Sequence, residues 1–106
     1  MATLKQQLVK KLEAIPGVEH QPYANRDDGF SALLYYGKDL AHFHNNNELD
    51  LKLTKGLIKR EGLKHYSDSK AHPKRSANSP WIELRFTQSS DIDEVVRLVN
   101  LAVSKM

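Results

Sequence analysis

The 106-residue sequence contains no cysteine. This absence excludes disulfides, a thiol nucleophile and a zinc–thiolate site, and it fits a reducing compartment. No apolar run approaches the ~20 residues that a membrane-spanning helix needs. Charges interrupt the first leucines, a pattern that argues against a signal peptide. We therefore expect a cytoplasmic protein without membrane association.

What the sequence does contain is typical of one soluble domain. Hydrophobic residues make up 40% of the chain and charged residues 27%, as in ordinary globular proteins. A chain shorter than about 150 residues has room for one core. We expect residues 1–106 to form a single α+β domain.

Positive charge is concentrated in the middle of the chain. The formal net charge is +3, whereas the segment 52–75 alone carries eight Lys/Arg against two acids, a local balance of +6. Such a segment can face phosphate or another anion, although a solvated surface has the same composition.

The order of the predicted elements indicates the fold class. A T-x-x-Q capping box at Thr3 begins a helix that ends at Pro16-Gly17. Strands are predicted over residues 18–24, 30–37, 39–44, 48–53 and 81–86, with a short helix after Thr54 and a final helix capped at Ser90. A polar loop is expected over residues 67–80. The prediction is an α+β two-layer sandwich, in which the N- and C-terminal helices cover one face of an antiparallel sheet of about four to six strands.

The stretch DLAHFHNNNELDLKL, residues 39–53, predicts a β-hairpin of defined register. A three-residue loop, Asn45–Asn47, pairs residues whose numbers sum to 92, and only this register keeps one face apolar. The core face then pairs Phe43 with Leu49 and Ala41 with Leu51. The polar face pairs His44 with Glu48, His42 with Asp50, and Leu40 with Lys52.

Two interpretations of the polar face stay open at this point. It could be a solvated surface with two cross-strand ion pairs, each contributing well under about 1 kcal/mol. It could instead be a site, because carboxylates orient imidazoles, and His with carboxylate is a common ligand set for zinc and similar metals. The candidate metal ligands are His42, His44 and Asp50.

The same residues resemble a known family. The sequence from GKDLAHFH through ELDLKLTKGL, an H-P pair, WIELRF and the closing helix is similar to the luciferase domain, a bacterial family of unknown function despite its name. The resemblance spans residues 30–104 and implies no light-emitting chemistry. A looser similarity, to the YjbR-like double-wing domains, supports the same fold. The matched positions are Gly37, Ala41, His42, His44, Leu49, Asp50, Leu51, Leu53, Gly62, His72 and Pro73.

The resemblance adds His72 to the candidate set, although the Lys/Arg-rich loop after His72-Pro73 and the strand-initiating Trp81 depart from the family pattern. If the strand WIELRF lies beside the hairpin, an open polar face results, overhung by His72. This face would display His42, His44, Asp50, Lys52, Trp81, Glu83 and Arg85. The histidines His20 and His65 stand alone in the sequence and are expected at the surface or capped.

Three functions compete. The first-ranked is a module that binds an anionic ligand, a protein or a nucleic acid through Lys52, Lys74, Arg75, Trp81 and Arg85. The second is a metal-dependent or acid–base enzyme whose catalytic residues are His42, His44, Asp50 and His72. The third is an interaction domain, monomer or homodimer, that associates through an edge strand or the Tyr35-Tyr36 segment. A divalent metal is the one cofactor that these residues suggest.

Overall fold

The structure is a computed structural model and describes residues 3–23, 29–63 and 79–106. These ranges contain three helices, namely α1 (Leu4–Glu13), α2 (Lys55–Arg60) and α3 (Ser89–Ser104). They also contain five strands: β1 (Val18–Pro22), β2 (Ser31–Tyr35), β3 (Lys38–Phe43), β4 (Glu48–Lys52) and β5 (Trp81–Arg85).

The five strands form one antiparallel sheet in the order β1-β2-β3-β4-β5. Buried residues of α1 and α3, such as Leu8 and Val99, share one apolar cluster with alternate residues of the strands. This is the predicted α+β sandwich, with both terminal helices on one side of the sheet. The opposite side is called the polar face below and carries His42, His44, Glu48, Asp50, Lys52, Trp81, Glu83 and Arg85.

The core follows from strict alternation along the central strands. Phe43 pairs with Leu49, and Leu49 pairs with Leu84 on the next strand. Phe43 and Phe86 are fully buried, and their rings meet edge to face at 5.9 Å. Because neighbouring residues of a strand point to opposite faces, the residues between these apolar positions must lie on the polar face.

The hairpin has the predicted register. Phe43 pairs with Leu49 and His42 with Asp50, and the backbone N–H of His44 donates to the carbonyl of Glu48 at 3.1 Å. Within the loop, the Asn45 side-chain oxygen accepts a hydrogen bond from the backbone N–H of Asn47 at 2.7 Å.

Leu40 differs from its expected position opposite Lys52. Leu33 pairs with Ala41 but Leu34 pairs with Asp39, so Leu40 is an extra residue in β3. Such a bulge interrupts the alternation of the strand. Leu40 is therefore fully buried in the apolar cluster, and the expectation that it lies on the polar face was wrong.

Helix caps explain the helix boundaries. Thr3 and Gln6 form the predicted capping box of α1, and the Thr54 hydroxyl accepts from the N–H of Leu57 in α2. The final helix begins at Ser89, before the expected cap at Ser90. The reason is that the Asp91 carboxylate accepts hydrogen bonds from the backbone N–H groups of two preceding residues, Thr87 and Gln88.

None of the helices in the described ranges has the length and apolar character required to cross a membrane. The cytoplasmic location stays a prediction. His65, His72, Lys74, Arg75 and most of the loop predicted over residues 67–80 lie outside the described residues.

Candidate functional site

Pairing between β4 and β5 assembles the predicted polar face. Asp50 lies directly opposite Glu83, and Lys52 lies opposite Trp81. On the other side of β4, Asp50 also lies opposite His42. The strand WIELRF therefore does lie beside the hairpin, and the polar side chains of three neighbouring strands meet on one surface.

His44 stands at the centre of a buried group of acidic side chains. Its Nε2 lies 4.0 Å from Oδ2 of Asp50, and its Nδ1 lies 3.7 Å from Oε1 of Glu83. These separations exceed hydrogen-bonding distance, so the ring faces both carboxylates at the range of an ion pair. Asp50 and Glu83 are each only 3% exposed. These two carboxylates of the polar face are therefore buried, whereas the sequence predicted an open polar face.

Glu83 connects this group to an arginine. Its second oxygen, Oε2, accepts a hydrogen bond from Nη2 of Arg85 at 3.3 Å. One carboxylate therefore faces a guanidinium on one side and an imidazole on the other. Since Asp50 lies directly across from Glu83, two buried carboxyl groups are also juxtaposed, and like charges directly opposite each other in a sheet are unfavourable.

The geometry groups three possible metal ligands. One ligand atom each from His44, Glu48 and Glu83 lies within 4.8 Å of the other two. A tetrahedral site with bonds of about 2.1 Å separates its ligand atoms by about 3.4 Å. A bound ion would therefore draw these ligand atoms together by at most about 1.4 Å. We call His44, Glu48, Asp50 and Glu83 the His44 cluster.

His42 lies in an aromatic stack rather than among the grouped ligands. Its ring lies between Phe30, at 5.9 Å and 22°, and Trp81, at 5.2 Å and 12°. Its Nε2 is 3.9 Å from Oδ1 of Asp39. Asp50, the residue across the strand, faces His44 instead. The stack fixes the plane of the His42 ring. Trp81, which the sequence placed on the polar face either as an exposed binding aromatic or as a covered side chain, is half-buried.

The structure therefore divides the predicted site residues. His44, Asp50 and Arg85 come together with Glu83, whereas His42 and Trp81 pack beside them and Lys52 is exposed. His72, Lys74 and Arg75 lie outside the described residues.

Two residues of the cluster were not among the candidate ligands. Glu48 stands opposite His44 in the predicted register, and Glu83 was assigned to the polar face. Alternation along the strands was thus the signal that could have identified both.

The comparisons with known proteins place the chain in a family. The model of the Luciferase domain family matches residues 37–102. The chain belongs to this family. The luciferase-domain segment runs from the β2–β3 turn into α3 and includes the whole His44 cluster. No curated protein and no solved structure matches the chain. The similarity to YjbR-like domains stays a prediction.

Proposed function

We propose that this luciferase-domain protein is a divalent-cation-binding domain and that the His44 cluster is the cation site. The observation that carries the proposal is the pair of carboxylates, Asp50 and Glu83, buried opposite each other beside one imidazole. A protein stabilises such a pair most effectively with a cation, because burial strengthens charge interactions and makes like-charge repulsion costly.

The charge balance of the surroundings favours a cation over an anion. Four carboxylates lie on or beside the described part of the polar face, against the cations of Lys52 and Arg85. The carboxylates belong to Asp39, Glu48, Asp50 and Glu83. The anion-binding hypothesis depends on the basic segment 52–75, and Lys74 and Arg75 in that segment lie outside the described residues, so it stays a prediction.

The residues of the cluster divide into ligands and supporting groups. Nδ1 of His44 faces Glu83, so this nitrogen would bind the ion together with oxygens of Glu48 and Glu83. Asp50 then lies at the other ring nitrogen, where a carboxylate fixes the tautomer and raises ligand basicity. Arg85 holds Glu83 from behind. One imidazole with two carboxylates suits zinc, manganese or iron(II).

Metal-dependent catalysis is the second candidate. The cluster offers three ligands, and a three-ligand site leaves a position for water or substrate, as catalytic sites do. Hydrolysis of a p-nitrophenyl ester by the Zn²⁺-loaded protein, lost in Glu48→Gln, would support it. Equal rates with the two proteins would reject it.

Calorimetric titration with Mn²⁺ and Zn²⁺ tests cation binding. We expect the wild-type protein to bind one ion, and we expect His44→Asn and Glu83→Gln each to weaken binding by at least about tenfold. His42→Asn is the matched histidine control, and Glu19→Gln, on the exposed side of β1, is the carboxylate control. Neither control should change the affinity.

Manganese electron paramagnetic resonance supplies a second readout. Bound Mn²⁺ loses the six-line spectrum of the free ion, so the signal reports occupancy without any activity. Absence of binding to the wild-type protein, or equal binding to Glu83→Gln, would refute the proposal. Loss of binding in His42→Asn with retention in Glu83→Gln would move the ligand set back to His42, His44 and Asp50.

A further inference from the structure

A groove lies on the helix side of the sheet, away from the His44 cluster. Its volume is about 560 Å³, within the range of small-molecule sites. One stripe of α1 forms its long wall, and His20 of the edge strand β1 forms the other. At 1.5 Å per residue the stripe is about 13 Å long. The lining residues are Lys5, Gln6, Val9, Lys10, Glu13, Ala14 and His20.

His20 is anchored rather than isolated at the surface. Its Nε2 lies 2.8 Å from Oγ of Ser31, which is only 2% exposed, and its ring meets the edge of Phe43 at 5.9 Å. A buried hydroxyl needs an acceptor. When Ser31 donates to Nε2, the neutral ring carries its proton on Nδ1 and can donate one further hydrogen bond. Burial foremost, and then the charge of Lys5, lower the pKa of His20, against an opposing effect of Glu13.

Lys5 is held in place against the same aromatic ring as His20. Its Nζ donates to the carbonyl of Gly29 at 2.5 Å and lies 5.0 Å from the centroid of the Phe43 ring. Lys5 and His20 thus both contact Phe43, and, after burial, the charge of Lys5 lowers the pKa of the His20 ring.

The charges of the lining differ along its length. Lys5 and Lys10 are cationic, whereas Glu13 lies about two helical turns beyond Lys5 and accepts a hydrogen bond from the backbone N–H of His20 at 3.4 Å. Between Lys5 and Glu13 the wall is formed by Val9 and by the aliphatic stems of the charged side chains, and Ala14 follows at the far end. The groove therefore offers the donors of Lys5 and His20 together with the apolar surface of Val9 and Ala14.

We propose that this groove binds a monocarboxylate with an apolar tail, with the carboxylate between Lys5 and His20 and the tail along Val9. The carboxylate receives a charge-assisted hydrogen bond from Lys5 and a hydrogen bond from His20 Nδ1–H. The Glu13 carboxylate, which accepts a hydrogen bond from the backbone of His20, disfavours a second acidic group on the ligand. The binding site is separate from the cation site, which lies across the sheet.

Octanoate is the probe, used in calorimetry with the full chain. Lys5→Met removes the charge and keeps the aliphatic stem, and it should weaken octanoate binding by about tenfold. The matched control is Lys11→Met, because Lys11 lies on the α3 side of α1 and pairs with Asp93 at 3.1 Å. It should leave the affinity unchanged. Val9→Phe should fill the groove and also weaken binding, provided that circular dichroism shows a folded protein.

Nitrogen NMR of the histidine rings gives the second readout. Octanoate should shift Nδ1 of His20 and raise the pH at which this ring titrates, because a bound anion favours the imidazolium. Octanol, which lacks the charge, should bind at least about tenfold more weakly. Absence of octanoate binding, equal losses in Lys5→Met and Lys11→Met, or a His20 signal that does not respond would each overturn the proposal. Glu83→Gln should leave octanoate binding intact, so failure of the cation site and failure of the groove are distinguishable.

Discussion

The juxtaposition of Asp50 and Glu83 predicts a measurable repulsion between two buried carboxylates. The perturbation is a double-mutant cycle that contains Asp50→Asn, Glu83→Gln and the double substitution, studied without metal at neutral pH. Each substitution removes one charge and keeps the shape of its side chain. The cycle isolates the interaction between the two positions from whatever other contacts each side chain makes.

The magnitude follows from the pairing of β4 with β5. Directly opposite residues of an antiparallel pair have Cβ atoms roughly 5 Å apart. At an effective dielectric constant of about 20, two unit charges at that separation repel by about 3 kcal/mol. The side chains are almost inaccessible to water, so solvent screens little of this energy. Since carboxylates turn away from each other where rotamers allow, we expect a coupling energy of about 1–3 kcal/mol with the sign of repulsion.

Urea unfolding of the four proteins measures the coupling. The gain in stability from one substitution should shrink once the other is present, because the repulsion can be removed only once. Additivity within about 0.5 kcal/mol would refute the argument and would remove the electrostatic basis of the cation proposal. Saturating Mn²⁺ should then stabilise the wild-type protein by about 2.7 kcal/mol at a hundredfold excess over its dissociation constant. It should leave Glu83→Gln nearly unaffected.

Two further predictions concern stability alone. Phe43→Ala should lower the free energy of unfolding by about 3–5 kcal/mol, since the ring is fully buried against Phe86; a loss below about 1 kcal/mol in urea unfolding would contradict the packing. The hydrogen bond from Arg97 Nη1 at 2.8 Å is the main cause of a lowered pKa of Glu61. Its stabilisation is therefore present above the usual carboxyl pKa of 4.5 and is lost as the pH falls through the lower folded value. Glu61→Gln should flatten the acid limb of a stability–pH curve, and an unchanged limb would show that the bond does not act in solution.

The fold could be predicted because helix capping and the alternation of apolar residues in strands depend on neighbours in the sequence. The T-x-x-Q box at Thr3 and the hydroxyl of Thr54 marked two helix starts that the structure shows. The hairpin register followed from the requirement that Phe43 and Leu49 share a face. The bulge at Leu40 could not be predicted this way, because an inserted residue breaks the period on which the prediction depends.

The sequence could predict which face of the sheet carries the candidate site, but not which side chains of that face contact each other. Alternation placed His42, His44, Asp50 and Glu83 together, but it could not say which imidazole meets which carboxylate. That choice depends on side-chain direction and on neighbours distant in sequence. Phe30 and Trp81 hold His42 in a stack, and His44 is consequently the ring that faces Asp50.

The position of His20 shows the same limitation on the other side of the sheet. Nothing in its local sequence distinguishes it from a surface histidine, since Val18–Pro22 reads as an irregular edge strand. Its anchor, Ser31, comes from β2, and its aromatic neighbour, Phe43, comes from β3. A residue whose surroundings come from three strands is visible only once the sheet is assembled.

The buried pair Asp50 and Glu83 is the strongest indication of function in this sheet. Asp50 and Glu83 are each 3% exposed, and a pair of β-branched residues at these strand positions would avoid the cost of burying charge. Two carboxylates placed opposite each other are expected to repel, as the double-mutant cycle would measure. Proteins keep such departures from local rules mainly where a ligand or a reaction compensates for them. The His44 cluster is therefore the place where we expect a bound ligand to stabilise this fold. Asp50→Asn removes the repulsion between the two carboxylates, so we expect it to raise the free energy of unfolding and to weaken cation binding.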